Sequence, residues 1–180
     1  MSTFKDRLFI CGVEQVARYQ SRRITHVVSV ANPGSSSALP AWFRGAHLLL
    51  WFGDVVSESD ARQWETRAPA IEDIRRGLVF FRRAWQADES RVLVHCNHGA
   101  SRSPALAYVF VADLLGAGRE AEALQTVLEI RPEAIPNSLV VQLGDTFLAR
   151  NGALLQPLRE LYLKINDEMG KLEGMTFPSR

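Results

Sequence analysis

The chain has 180 residues, a length suited to one domain with one sizeable core. Hydrophobic residues make up 47% and charged residues 23%, which is a globular rather than a disordered balance; 21 Lys and Arg against 20 Asp and Glu leave a net charge of +1, too little for a nucleic-acid-binding footprint. Two cysteines, Cys11 and Cys96, exclude a disulfide scaffold and a four-cysteine zinc site.

Lys5, Asp6 and Arg7 precede a short apolar run, a pattern of neither a signal nor a transit peptide. No stretch reaches the ~18 apolar residues that cross a bilayer. The expectation is a soluble cytoplasmic protein with reduced thiols, no membrane partner and no nucleic-acid partner. Leu8-Phe9-Ile10-Cys11, closed by Gly12, predicts a strand, and Val13 to Tyr19 a short helix. The β-branched run Ile24 to Val30 predicts a second strand. Asn32-Pro33-Gly34 and Ser35 to Ser37 read as a solvated surface loop. Ala46 to Phe52 predicts a third strand, ending at Gly53-Asp54, and the polar stretch Ser57 to Ala70 an extra turn or short helix. Ile71, Ile74, Leu78, Phe81 and Trp85 recur at helical spacing. Arg91 to His95 is apolar without alternation, the pattern of a parallel strand buried on both faces. Ser103 is a candidate N-cap and Pro104 a first-turn proline for a helix through Ala105 to Leu115. Helices follow over Arg119 to Ile130, Ser138 to Arg150 and Leu154 to Met169. The fold class is α/β: a central, mostly parallel sheet flanked by helices, with a helical C-terminal half.

Chemistry concentrates in Val92 to Pro104. A buried strand would deliver Cys96 to its carboxyl end, where ligand sites of α/β sheets lie. The following turn, with Gly99 in its middle, can aim successive N–H groups at an anion. Arg102 supplies a planar fork for two phosphate oxygens, and a helix start points its positive end at the same place. Thiolates are favoured in such fields, and Ser103 can donate to the sulfur.

His95-Cys96 through Arg102-Ser103 resembles the signature loop of the cysteine-dependent protein tyrosine phosphatases, and the Ser101-Arg102-Ser103 ending resembles their dual-specificity branch. Leu8 to Gly12 and Ile24 to Val30 resemble that family's first strands; Arg131, Pro136-Asn137 and Gln142-Leu143 resemble its C-terminal pattern. The resemblance implies a single phosphatase-like catalytic domain over residues 1–170, with 171–180 a tail. It implies catalysis by Cys96, Arg102, Ser103 and an acid, through a cysteinyl-phosphate and without cofactor or metal. Asn97, His98, Gly99, Ala100, Ser101 and Arg102 would line the substrate, with His95 and Asn137 supporting the loop.

Asp54 is the preferred acid, since it follows the strand where the family carries its aspartate. It lies further before Cys96 than is common in the family, so Asp60 and Glu58 stay open as alternatives. The loop has no lysine of the kind phosphoinositide-directed relatives carry, which points to a phosphorylated protein or peptide as substrate; a protonated His98 would favour an acidic one. Phosphotyrosine is expected first, with phosphoserine and phosphothreonine also open. A phosphate-binding module without catalysis, and a phosphatase of a phosphoinositide or an RNA 5′ end, are the alternatives. Cys11 reads as core, with a protective disulfide to Cys96 as a lesser reading. His95, Cys96 and His98 make too few ligands for structural zinc.

Overall fold

A computed structural model describes residues 4–35 and 39–173, with side chains through Glu168. Ser36, Ser37 and the tail from 174 onward lie outside the described residues. Four strands, β1 (Leu8–Gly12), β2 (His26–Ala31), β3 (Ala46–Trp51) and β4 (Val92–Cys96), form one sheet in the order β1-β4-β2-β3. Every pair is parallel, with Gly12 opposite Cys96 and Ser29 opposite His95. The helices are α1 (Phe4–Arg7), α2 (Glu58–Gln63), α3 (Ile71–Trp85), α4 (Arg102–Leu115), α5 (Glu120–Ile130), α6 (Ser138–Phe147) and α7 (Leu155–Glu173).

Side-chain parity divides the core in two. Leu8, Ile10, Val28, Val30, Val92, Val94 and Cys96 face the larger cluster, with Phe81, Leu106, Phe110 and Val141 from the helices. Cys11, Val27 and Leu93 face the opposite, smaller cluster, closed by Val16, Ile24 and Phe43. The β4 strand is buried along its whole length, as its unbroken apolar run predicts. The α4 helix is buried from Arg102 to Ala112, so it is the central helix of the thick layer.

The sequence expectations need three corrections. Val13–Arg22 is a 3-10 helix rather than a short α-helix. Val13, Val16, Tyr19 and Arg22 recur every three residues, and a three-residue turn lines them on one side. The helix expected to be capped by Ser103 begins earlier in the chain: Ser101 holds the N-cap position and Ser103 lies inside α4. The expected parallel sheet flanked by helices is present, and every strand pair in it is parallel. The short α1 has no counterpart in the sequence reading; its Arg7 is buried, donates to the carbonyls of Trp85, Ala87 and Ser90, and stacks 4.2 Å over the Trp85 ring. Arg7 answers carbonyls at the end of α3 and in the turn after it, far off in sequence, and faces Asp88 there, a meeting that no local sequence pattern reveals. The stretch expected to hold an extra turn or short helix does contain α2, capped by Ser57 through the Asp60 amide.

Close packing of α4 on α6 fixes the start of α6, which reaches the site. A Cβ on Gly144 would lie 2.4 Å from Val109, itself fully buried. Gly144→Ala is therefore expected to lower stability by about 1–3 kcal/mol through overpacking, outweighing the gain of up to about 1 kcal/mol in helix propensity. Urea denaturation reads the sign directly; a stabilised variant would mean that the two helices can part freely.

Candidate active site

The β4 strand ends on Cys96, and the chain then turns tightly against the end of β1. Gly99 has φ +74, and a Cβ there would lie 2.3 Å from the Cys11 carbonyl carbon, so both backbone and space demand glycine. The amide of Val13 donates to the Asn97 carbonyl at 3.1 Å, tying the turn to the neighbouring strand. Cys96 is buried, and its Sγ accepts from the Gly99 amide at 3.3 Å and the Ser103 hydroxyl at 3.2 Å. A recess of about 100 Å³ touches Cys96, His95, Asn97, Val13 and Asn32.

Arg102, the first residue of α4, is 2% exposed. Its Nη1 donates to Asn32 Oδ1 at 2.6 Å and to the Phe52 carbonyl at 2.9 Å. Its Nε is buried without a hydrogen-bond partner and lies 3.7 Å from Asp54 Oδ2. A buried guanidinium donor left open is a place for an oxyanion. The loop after β2 thus supplies Asn32 to the site, where the sequence suggested only a solvated connection.

Asp54 follows β3, and its Oδ1 accepts from the Ser101 hydroxyl at 2.6 Å and from Asn137 Nδ2 at 2.9 Å. Asn137 also donates to the Val55 carbonyl, while its Oδ1 caps α6 through the Val140 amide. Asn137 therefore touches the Asp54 loop by its side chain and the Cys96 loop by its backbone, its amide meeting the Ser101 carbonyl. Ser101 faces Asp54 instead of capping α4. Asp60 is engaged at the start of α2, where its carboxylate accepts from the Val56 amide. Glu58 is exposed beside it. Neither lines the cleft with Arg102. Asn97 and His98 are exposed, whereas Gly99 is buried and Ala100 is half-buried and binds Ile135 through its carbonyl.

A cleft of about 500 Å³ opens between Asn32, Asp54, His98 and Arg102, with a wall of Trp64, Glu65 and Thr66. This wall belongs to the stretch between β3 and α3. It is pinned by the Gly53 amide on the Arg67 carbonyl and by Arg67 paired through two bonds of 2.9 Å to the buried Asp73. Sequence reasoning missed these wall residues and Asn32. The extra length between Asp54 and Cys96 was the one signal that an added wall existed.

His95 faces away from Cys96 by strand parity. Its Nε2 meets the Ser29 hydroxyl at 2.6 Å, and that hydroxyl also meets His47 Nε2 at 2.8 Å. Burial, helped by His47, lowers the His95 pKa to about 4. Cys11 also faces away: it pairs with His95 and packs in the smaller cluster, while Cys96 packs in the larger. The sulfurs sit on opposite faces of the sheet, so the lesser reading of a Cys11–Cys96 disulfide is withdrawn. Burial pushes the Cys11 thiol up to about 12, the state of a core residue.

The His95 geometry sets a pH dependence. Its folded pKa lies below the unfolded value, so the unfolded chain takes up the proton first as pH falls. Stability is lost between the ordinary histidine pKa and about 4. Between pH 7 and pH 5 the wild type should lose about 2 kcal/mol from this group, with His26 and His47, both also lowered by burial, adding in the same direction. His95→Gln should lose correspondingly less in urea denaturation at the two pH values; equal losses would mean that His95 titrates normally in the fold.

No protein-family profile matches the chain. A phosphatase from Rattus norvegicus, Protein phosphatase Slingshot homolog 3, is 31% identical over 118 residues, which are 66% of this chain. The chain spans only 16% of that relative's length. Among solved structures, the human tyrosine phosphatase-like serine/threonine/tyrosine-interacting protein superposes with a TM-score of 0.63 and 21% identity, over 79% of this chain and 91% of that one. The DUSP15 crystal structure matches with a TM-score of 0.61 and 21% identity, over 99% of this chain and 98% of that one. With its parallel sheet, its Cys96-to-Arg102 turn and these neighbours, the chain has the fold of the dual-specificity branch of the cysteine-dependent protein tyrosine phosphatases.

Proposed function

We propose that the protein is a phosphoprotein phosphatase that hydrolyses phosphotyrosine monoesters, with phosphoserine and phosphothreonine as further substrates, through a cysteinyl-phosphate on Cys96. The observation that carries this reading is the buried Arg102 guanidinium with an open Nε above the turn that begins at Cys96. A phosphate dianion would satisfy that donor together with the N–H groups of Asn97 to Arg102.

In the first step the Cys96 sulfur attacks phosphorus and forms the S–P bond. The bond from phosphorus to the leaving oxygen breaks, and that oxygen takes the proton of the Asp54 carboxyl. Asp54 suits this role because Ser101 and Asn137 both hold Oδ1, which turns Oδ2 toward Arg102. In the second step the Asp54 carboxylate takes a proton from water, whose oxygen displaces the sulfur and releases inorganic phosphate. The Gly99 amide and the Ser103 hydroxyl stabilise the sulfur as nucleophile and again as leaving group. This sequence of steps needs no cofactor.

A second reading has one observation in its favour. The Asp54 carboxylate accepts two hydrogen bonds and faces a guanidinium, an arrangement that also suits a fixed structural anion in a phosphate-binding module.

Hydrolysis of para-nitrophenyl phosphate between pH 4.5 and 8 separates the two. Wild type should give a bell-shaped profile and Cys96→Ser no turnover. Asp54→Asn should lower kcat about a hundredfold or more and remove the basic limb, while Asp60→Asn keeps both. A wild type that binds phosphopeptide or vanadate without turnover would establish the binding module instead. Protein that neither binds nor hydrolyses phosphate would overturn both readings.

A further inference from the structure

Beyond the phosphate cradle, the catalytic cleft has one wall that no step of the proposed chemistry uses. Trp64, Glu65 and Thr66 follow α2 and face Asp54 and Arg102 across the opening. Trp64 is 70% exposed, an unusual place for a large indole. Glu65 adopts φ 46, in the left-handed region that a non-glycine residue enters only when its surroundings fix it. Thr66 provides the fixation: its side chain fills the space over Gly53, where a Cβ would lie 2.5 Å away. The turn is thus locked to the residue before Asp54, and it holds an indole and a carboxylate at the mouth.

The charges there are not equivalent. Asp54 is engaged by Ser101, Asn137 and Arg102. Glu65 is exposed and forms no ion pair among the described residues. An aromatic face beside a carboxylate that holds no ion-pair partner can receive a cation. We infer that Trp64 and Glu65 form a subsite for an arginine or lysine side chain next to the phosphorylated residue of a peptide substrate. The inference rests on the phosphate site of Cys96 and Arg102 and names the sequence context which that site selects. The guanidinium or ammonium would lie over the indole and pair with Glu65 while the phosphate meets Arg102, so the two ends of the cleft read opposite charges.

Matched phosphotyrosine peptides with arginine, alanine or glutamate on both sides of the phosphorylated residue test this. Wild type should favour the arginine peptide over the glutamate peptide by roughly tenfold in kcat/KM, mainly through KM, and less so at high salt. Within each variant the same ratio is its own control. Trp64→Ala and Glu65→Gln should each bring it to roughly threefold or below. A wild-type ratio near one, a preference for glutamate (which would assign the rim to His98), or a ratio unchanged in both variants would overturn the inference. Turnover of para-nitrophenyl phosphate by wild type tells its failure apart from failure of the enzyme reading. If wild type lacks turnover, fluorescence anisotropy with the same peptides gives the ratio as affinities and decides the question. Peptides that neither bind nor turn over would remove the phosphate site and the subsite with it.

Discussion

Burying a guanidinium is costly unless its donors are met, and the region around Arg102 is organised by that constraint. With 2% of its surface exposed, Arg102 receives Asn32 from the end of β2, the Phe52 carbonyl from the end of β3, and the carboxylate of Asp54 at 3.7 Å. Its buried Nε has no hydrogen-bond partner. Three connections far apart in sequence therefore converge on one side chain, and their convergence builds the cleft. Asn137 extends the arrangement to α6, since it holds Asp54 and caps that helix at once. The close approach of α4 and α6 at Gly144 then sets where Asn137 can stand.

The sheet contributes a second kind of order. Alternate residues of adjacent parallel strands fall on opposite faces, so Cys96 and His95 are neighbours in sequence with separate surroundings. Cys96 lies on the helical side and accepts from Gly99 and Ser103. His95 lies on the thin side and joins Ser29 and His47. The same parity sends Cys11 to the thin side, which makes it a packing residue beside Val27 and Leu93. Burial raises its thiol and lowers His95 for one physical reason: both avoid carrying charge out of water.

The stretch between β3 and α3 shows how added length becomes surface chemistry. Its far end is fastened by Arg67, which donates to the Trp51 carbonyl and grips the buried Asp73 with both Nη atoms. Its middle rests on Gly53 through Thr66. Between these anchors Trp64 and Glu65 have nowhere to be but at the mouth of the cleft. Their placement follows from the anchors, because an exposed indole gains little from solvent itself.

The sequence by itself determined the order of the four strands and the longer helices, the burial of β4, the Cys96-to-Arg102 loop and the branch of phosphatases that it resembles. These depend on neighbours a few residues apart: an unbroken apolar run, a glycine in the middle of a tight turn, an arginine at a helix start. The 3-10 form of Val13–Arg22 was also present in its three-residue spacing, though that spacing competes with α-helical readings over so short a span. Only the tertiary structure decided that Asn32 holds Arg102, that Ser101 turns to Asp54, and that Cys11 and Cys96 are on opposite faces. Each of these pairings spans a strand crossover or depends on register. Their energy comes from groups that meet only after the sheet has closed, which leaves no periodic trace along the chain.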